Sequence, residues 1–200
     1  MINLLKSAIK EESIDINEDR VLKLENYAKK LKWWNKTHNI TGAKSDEDII
    51  KNIIDSLYPI KFIPKKRTLL DVGTGAGFPG LILAIAWQDT EVTLAEPLNK
   101  RASFLRYIIQ DLELKNTTVF KNRVEKLQDK NFEIVTSRAV TNTKLLLELT
   151  KNITDKETEY LFFKGERVFE EIDELKAQYI YDIVTKNRRN YLWIKGLKCS

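Results

Sequence analysis

Leu69-Leu70-Asp71-Val72-Gly73-Thr74-Gly75-Ala76-Gly77-Phe78-Pro79-Gly80 carries an apolar strand straight into three alternating glycines and then into a helix. Pro79 suits the first turn of that helix, where a missing N–H is tolerated. Gly73, Gly75 and Gly77 allow close backbone approach to a ligand and conformations that a Cβ would block. A dinucleotide fingerprint counted from Gly73 needs its third glycine at position 78, which is Phe78. A Walker phosphate loop needs Gly-Lys-Ser/Thr, which is also missing. A tight strand-to-helix turn is the plain structural alternative.

Gly-x-Gly-x-Gly after a strand ending in an acid is the loop of S-adenosylmethionine (SAM) enzymes. Such a loop packs against the methionine portion and ribose of a zwitterionic cofactor, with Asp71 expected beside the positive amino and sulfonium end. The second strand ends in Glu96, 19 residues after Gly77. An acid at that place can accept both ribose hydroxyls.

Working outward, short apolar runs alternate with helical patterns from Arg67 onward. The expected strands are Thr68–Val72, Val92–Glu96, Thr118–Lys121, Phe132–Ser137, Tyr160–Lys164, Tyr179–Val184 and Tyr191–Ile194. The expected helices are Gly80–Trp87, Lys100–Leu112, a short one near Val124–Gln128, Thr143–Thr150 and Val168–Gln178. Alternation with apolar strand cores implies a mostly parallel sheet covered on both faces. The last two strands, joined through Lys186–Asn190, should form an antiparallel hairpin at one edge. Before residue 65, apolar residues recur at three- and four-residue steps, and Ser45-Asp46 can cap a helix running through Ile49, Ile53 and Leu57. The fold class is therefore α/β, Rossmann-like, with seven strands: residues 1–64 as an N-terminal helical subdomain and 65–200 as the α/β domain.

Of the 200 residues, 42% are hydrophobic and 32% charged, enough to bury a core and to exclude a disordered chain. No apolar run reaches membrane-span length, and the N-terminus has no signal-peptide pattern. One Cys (Cys199, terminal and expected inert) and one His exclude a disulfide and leave no N/S metal site. These features fit a reduced cytoplasmic protein with no membrane partner. Net charge is +5, and residues 68–165 are balanced at 13 cations and 13 anions, so the excess sits at the ends. Beyond Asp182 there are only cations, among them Lys186, Arg188 and Arg189. Both a solvated basic face and a nucleic-acid contact account for them.

The string from Asp71 to Gly80, then Glu96-Pro97 with Lys100-Arg101 and Phe104-Leu105, resembles the bacterial small-subunit (16S) ribosomal RNA guanine-N7 methyltransferases, the RsmG or GidB family. Further matches are Trp34-Asn35 with Asn39-Ile40-Thr41, Asn122-Arg123-Val124-Glu125, Ser137-Arg138-Ala139 and Lys164-Gly165. They run in order from about residue 27 to 170, whereas the first thirty residues and the tail beyond about 175 match nothing diagnostic. The resemblance implies a class I SAM-dependent methyltransferase and places cofactor contacts at Gly73, Phe78, Val124-Glu125 and Arg138. It implies 16S ribosomal RNA, or the small ribosomal subunit, as partner; a monomer is the separate expectation.

Each of these residues also has a plainer role. Val124 would lie against the adenine with Glu125 reading its amine, or Glu125 is an exposed helix start. Phe78 contacts the cofactor or packs loop on sheet. Arg138, just past a strand at the carboxyl edge where ligands bind, serves the site or forms an ion pair with a sheet-edge carboxylate. Arg138 and Lys164 are positioning candidates, and no catalytic acid or base is identified. Lys100, Arg101 and Lys164 near the mouth, with Lys186, Arg188 and Arg189 on the hairpin, are the expected RNA contacts. Of Trp33 and Trp34 only one can face inward, and His38 suits a surface or capping place. A SAM methyltransferase for a small molecule or protein, or a non-catalytic RNA-binding or ribosome-assembly module, are the alternative functions.

Overall fold

The computed structural model describes residues 1–128, 130–173, 175 and 178–197. Cys199 lies outside the described residues. Seven strands, β1 (Thr68–Val72), β2 (Glu91–Ala95), β3 (Thr117–Phe120), β4 (Ile134–Arg138), β5 (Glu159–Lys164), β6 (Tyr179–Lys186) and β7 (Arg189–Leu197), form one sheet in the order β3-β2-β1-β4-β5-β7-β6. β1 to β5 are parallel, and β7 runs antiparallel to both β5 and β6. The edge hairpin is present, with β7 inserted between β5 and β6. Its turn is shorter than the expected Lys186–Asn190 connection: Lys186 already pairs with Arg189. Asn187 takes the left-handed conformation at φ 55, which Asn tolerates better than most residues.

The helices are α1 (Ile2–Glu11), α2 (Glu18–His38), α3 (Asp46–Leu57), α4 (Gly80–Ala86), α5 (Asn99–Asp111), α6 (Thr143–Thr150) and α7 (Val168–Asp173). β1 and α6 fall where the sequence places them. The helix expected near Val124–Gln128 is a single 3-10 turn, Val124–Lys126. Of the helix expected over Val168–Gln178, residues 174, 176 and 177 lie outside the described residues. Ser45 caps α3 as expected: its Oγ accepts the Asp48 amide at 3.1 Å while Asp48 Oδ2 accepts the Ser45 amide, a reciprocal capping box.

Alternate residues of the parallel strands enter two apolar layers, as a period of two demands. Leu69, Leu94, Ile134, Leu161 and Phe163 belong to one layer; Leu70, Val72, Ala95, Val135 and Phe162 belong to the other. The first layer also contains Leu5, Leu24, Tyr27, Leu31, Ile53 and Leu57 of the N-terminal helices. This explains α4, every residue of which is buried. One side of α4 faces the sheet and the other meets α2 and α3, and a helix apolar all round needs such a double cover. Each large apolar side chain so buried contributes about 1.5–3 kcal/mol.

Two sets of hydrogen bonds order the helical region and fix it to the rest. Asn35 donates from Nδ2 to the Ala43 carbonyl at 3.2 Å and accepts the Thr41 amide at 2.9 Å, which gives the Trp34-Asn35 and Ile40-Thr41 strings a structural reason. Tyr27, wholly buried in α2, donates its hydroxyl to the Ala76 carbonyl at 2.9 Å, so the helical region grips the glycine loop. Trp34 stacks on Tyr107 and Trp33 is 66% exposed; only one of the two faces inward. His38 lies beside the Trp34 ring at 4.9 Å.

Candidate functional site

The strand order reverses at β1, whose neighbours are β2 and β4, so the crevice of an open α/β sheet lies at their carboxyl ends. The glycine loop occupies that place. Its amides are already engaged. Gly73 and Thr74 donate to the Ala95 carbonyl at 2.9 and 3.2 Å, and Gly77 and Phe78 donate to the Thr74 carbonyl at 3.0 Å. Gly75 donates to Glu96 Oε2 at 3.0 Å, and Gly80 to Asp71 Oδ2 at 2.7 Å. A phosphate cradle needs convergent amides still able to donate. Here two carboxylates take amides that a phosphate would need, and they leave negative charge under the loop. Such a loop repels a pyrophosphate and suits a cationic ligand.

Gly75 sits at φ +64 with nothing within 4 Å of where a Cβ would project. That open face is the cradle a side chain would fill. Gly80 serves packing instead, because a Cβ there would meet Asp71 Cβ at 2.5 Å; only glycine lets α4 start this close to β1. Counted from Gly73 the spacing gives Gly80 no role; counted from Gly75 it is the third, helix-packing glycine. The residues of the loop fit a SAM-type cofactor: open backbone above Gly75 and two buried acids below.

The expected cofactor contacts differ in burial and in what already holds them. Asp71 is wholly buried beneath the loop, where its Oδ2 holds the Gly80 amide. Each Glu96 oxygen already accepts one backbone amide. The side chain is 3% exposed, Oε1 accepts the Leu98 amide at 2.8 Å and Oε2 accepts Gly75; each oxygen keeps a single lone pair for a further donor. Phe78 is packed edge-on against Tyr27 at 5.7 Å, with the Arg138 guanidinium 4.8 Å above its ring. Val124 is buried in the same apolar layer as Ala95, and Glu125 is exposed.

Arg138 finds its carboxylate on α3 and not at the sheet edge. Asp55 accepts Arg138 Nη1 at 3.0 Å, Arg189 Nε at 2.9 Å and the Tyr191 hydroxyl at 3.0 Å. The hairpin cation and the β4 cation, expected in separate groups, therefore share one acid. Four of the six cations expected to meet RNA stand beside acids of the protein. Lys164 is buried and donates to the Thr141 carbonyl and Glu171. Lys186 pairs with Glu12 above the Tyr58 ring. Arg189 is held by Asp55, and Arg101 stands 3.9 Å from Glu96. Lys100 and Arg188 remain exposed, as phosphate contacts must be.

Burial pushes the Asp71 carboxyl up to about 6, against the pull of the Thr74 side chain, the Gly80 amide and Arg138. The folded group thus binds its proton more tightly than the free one, at 3.8. Its contribution to stability is complete below about 3.8 and is lost as pH rises through about 6. Asp71→Asn keeps an acceptor for Gly80 and removes the titration. Urea midpoints from pH 4 to 7 should show the parent losing on the order of 3 kcal/mol relative to the variant; parallel curves would contradict the assignment.

A family model described as rRNA small subunit methyltransferase G matches residues 20–193, more of the chain than the strings alone span. A curated ribosomal RNA small subunit methyltransferase G of Aliarcobacter butzleri is 50% identical over 173 residues, 86% of this chain and 89% of its own length. The protein of the same name from Wolinella succinogenes is 42% identical over 96% of this chain and 98% of its own. Among solved structures, a methyltransferase from Geobacter sulfurreducens aligns with a TM-score of 0.61 at 15% identity, covering 94% of each chain. A putative S-adenosyl-L-methionine-dependent methyltransferase from Methanococcus maripaludis aligns at 0.60 and 15% identity, covering 86% of this chain and 93% of its own. At such identity the two structures bear on the fold alone, and the fold is the same.

Proposed function

We propose, for a chain that belongs to the rRNA small subunit methyltransferase G family, that it methylates N7 of a guanine in small-subunit (16S) ribosomal RNA. It is a SAM-dependent enzyme on a Rossmann-like sheet. The observation that carries the cofactor class is the engagement of the Gly75 and Gly80 amides by Glu96 and Asp71, which favours a cation over a phosphate. The Gly-Phe-Pro-Gly and Ser-Arg-Ala strings support the guanine-N7 choice.

SAM, when bound, supplies an electrophilic methyl group on a sulfonium. The protein has little proton chemistry to perform, because guanine N7 already carries an in-plane lone pair and loses no proton on methylation. Its work is positioning, worth up to ~7–11 kcal/mol in favourable cases. Gly73, Gly75 and Gly77 would receive the methionine and ribose portions, with Glu96 reachable by a ribose hydroxyl through its remaining lone pairs. Val124 and Glu125 would border the adenine. Phe78 would act by propping Arg138 at the carboxyl edge. Lys100 and Arg188 would meet phosphates, and the target guanine must be presented unstacked, at a cost of a few kcal/mol.

In this proposal residues 1–64 serve as a helical subdomain and 65–200 as the catalytic domain, in a cytoplasmic monomer acting on the small subunit or its RNA. No helix of the described residues is long and apolar enough to cross a membrane. Incubation of the purified protein with methyl-labelled SAM and either small-subunit particles or their naked RNA tests the function. Label should enter the RNA and not ribosomal protein or free nucleotides; label in protein or metabolites would overturn it.

A further inference from the structure

We propose that Glu171 selects the base, accepting a hydrogen bond from N1–H or the N2 amino group of the target guanine in a pocket at the carboxyl ends of β4 and β5. The inference rests on the guanine-N7 function above and adds how guanine is recognised. The pocket has a volume of about 320 Å³ and is lined by Ser137, Thr141, Phe163, Lys164, Glu171 and Arg189 among others. It adjoins the glycine loop through Val140, which also lines it and whose Cγ2 lies 2.6 Å from where a Cβ on Gly73 would stand. A base in this pocket is therefore next to the proposed cofactor cradle.

Glu171 is fixed by one oxygen only. Its Oε2 accepts the Thr143 amide at 2.7 Å, the Thr143 hydroxyl at 2.6 Å and Lys164 Nζ at 2.8 Å. Oε1 has no hydrogen-bond partner among the described residues, and the side chain is 22% exposed. Burial alone would push the carboxyl up, but Lys164 and Thr143 hold it below its ordinary value, so it is ionised at neutral pH. Lys164 is itself anchored to the Thr141 carbonyl at 3.0 Å and retains a third N–H.

The result is a rigid donor beside a rigid acceptor. Guanine offers the matching order on its Watson–Crick edge, O6 beside N1–H and the N2 amino group. Adenine in the same pose would set its amino group against the ammonium and its N1 lone pair against the carboxylate. Holding guanine by that edge leaves N7, on the Hoogsteen side, directed away from Glu171. As N7 gains the methyl group, positive charge develops on the purine, so the contact from the carboxylate strengthens toward the transition state.

Glu171→Gln separates recognition from structure. Its carbonyl oxygen still serves Thr143 and Lys164, whereas the second position becomes an N–H₂ that cannot accept from guanine. Melting temperature and SAM affinity should be those of the parent, while kcat/KM for transfer to small-subunit rRNA falls roughly 10- to 100-fold. Rates are taken per SAM-binding molecule, so a loss of folded protein does not register as a loss of recognition. Parent-like transfer by the Gln variant would overturn the inference and leave the methyltransferase function standing. A parent that methylates no rRNA would overturn the function and the inference with it.

Discussion

A protein carrying Gly75→Val is expected to fold and to lose its hold on SAM. Beyond its chain neighbours, no atom lies within 4 Å of the position a Cβ would take at residue 75, so the new Cβ meets no clash there. The backbone at φ +64 is another matter. A β-branched residue in the left-handed region costs about 1–3 kcal/mol, which lowers the melting temperature of a chain this size by a few degrees. The larger effect is on binding, because both γ-methyls project into the open face of the loop. Forcing extra methyl groups into a packed contact costs about 1–3 kcal/mol, so affinity for SAM by calorimetry should fall roughly 10- to 100-fold. Gly75→Ala should fall between parent and valine variant. Unchanged affinity in the valine variant would show that the cofactor lies elsewhere.

Arg138→Ala is expected to remove most methyl transfer with a modest loss of stability. Its partner Asp55 is not stranded by the change, since Arg189 and the Tyr191 hydroxyl still bond to it. Breaking a partly buried ion pair that leaves its acid uncompensated costs ~3–5 kcal/mol. Here the remaining donors should reduce that to about 1–2 kcal/mol, a shift of several degrees. What no other residue replaces is the guanidinium above Phe78 at the carboxyl edge of β4. Transfer per folded molecule should drop by about 100-fold, and Arg138→Lys should recover little, because an ammonium lacks the planar fork and stacks poorly. A large fall in melting temperature with normal transfer would make Arg138 a structural ion pair and nothing more.

The sheet is readable from sequence because each strand is a short apolar run bounded by turn or helix signals, and the parallel order follows from the alternation. The cofactor loop is readable because its chemistry is local: one strand end, three glycines and a proline within ten residues. Counted from Gly75, the segment Gly75-Ala76-Gly77-Phe78-Pro79-Gly80 also satisfies dinucleotide spacing, and Gly80 provides the close helix packing that such a glycine gives. What separates the two ligand classes is what the amides of Gly75 and Gly80 donate to. That depends on the rotamers of Glu96 and Asp71, which sequence spacing does not encode.

The charged residues are the least legible, for a related reason. A lone Lys or Arg reads as a phosphate contact until its partner is known, and these partners are distant in the chain. Arg138 and Arg189 meet Asp55 across 83 and 134 residues, and Tyr27 reaches Ala76 across 49. Asp55 itself sits in an ordinary amphipathic helix, where an acid beside isoleucines looks like a solvated face. The all-apolar stretch Leu81–Ala86 is the one local sign that a further layer must cover α4, and the layer is supplied by the N-terminal helices.

The most direct measurement is the position of the new methyl group. Small-subunit rRNA incubated with the protein and SAM is reduced with borohydride and treated with aniline, which breaks the chain at N7-methylguanosine. Methylation at guanine N7 predicts scission at one guanosine, dependent on SAM and absent with the Gly75→Val variant. Methylated RNA that resists scission, or that breaks at many guanosines alike, would contradict it.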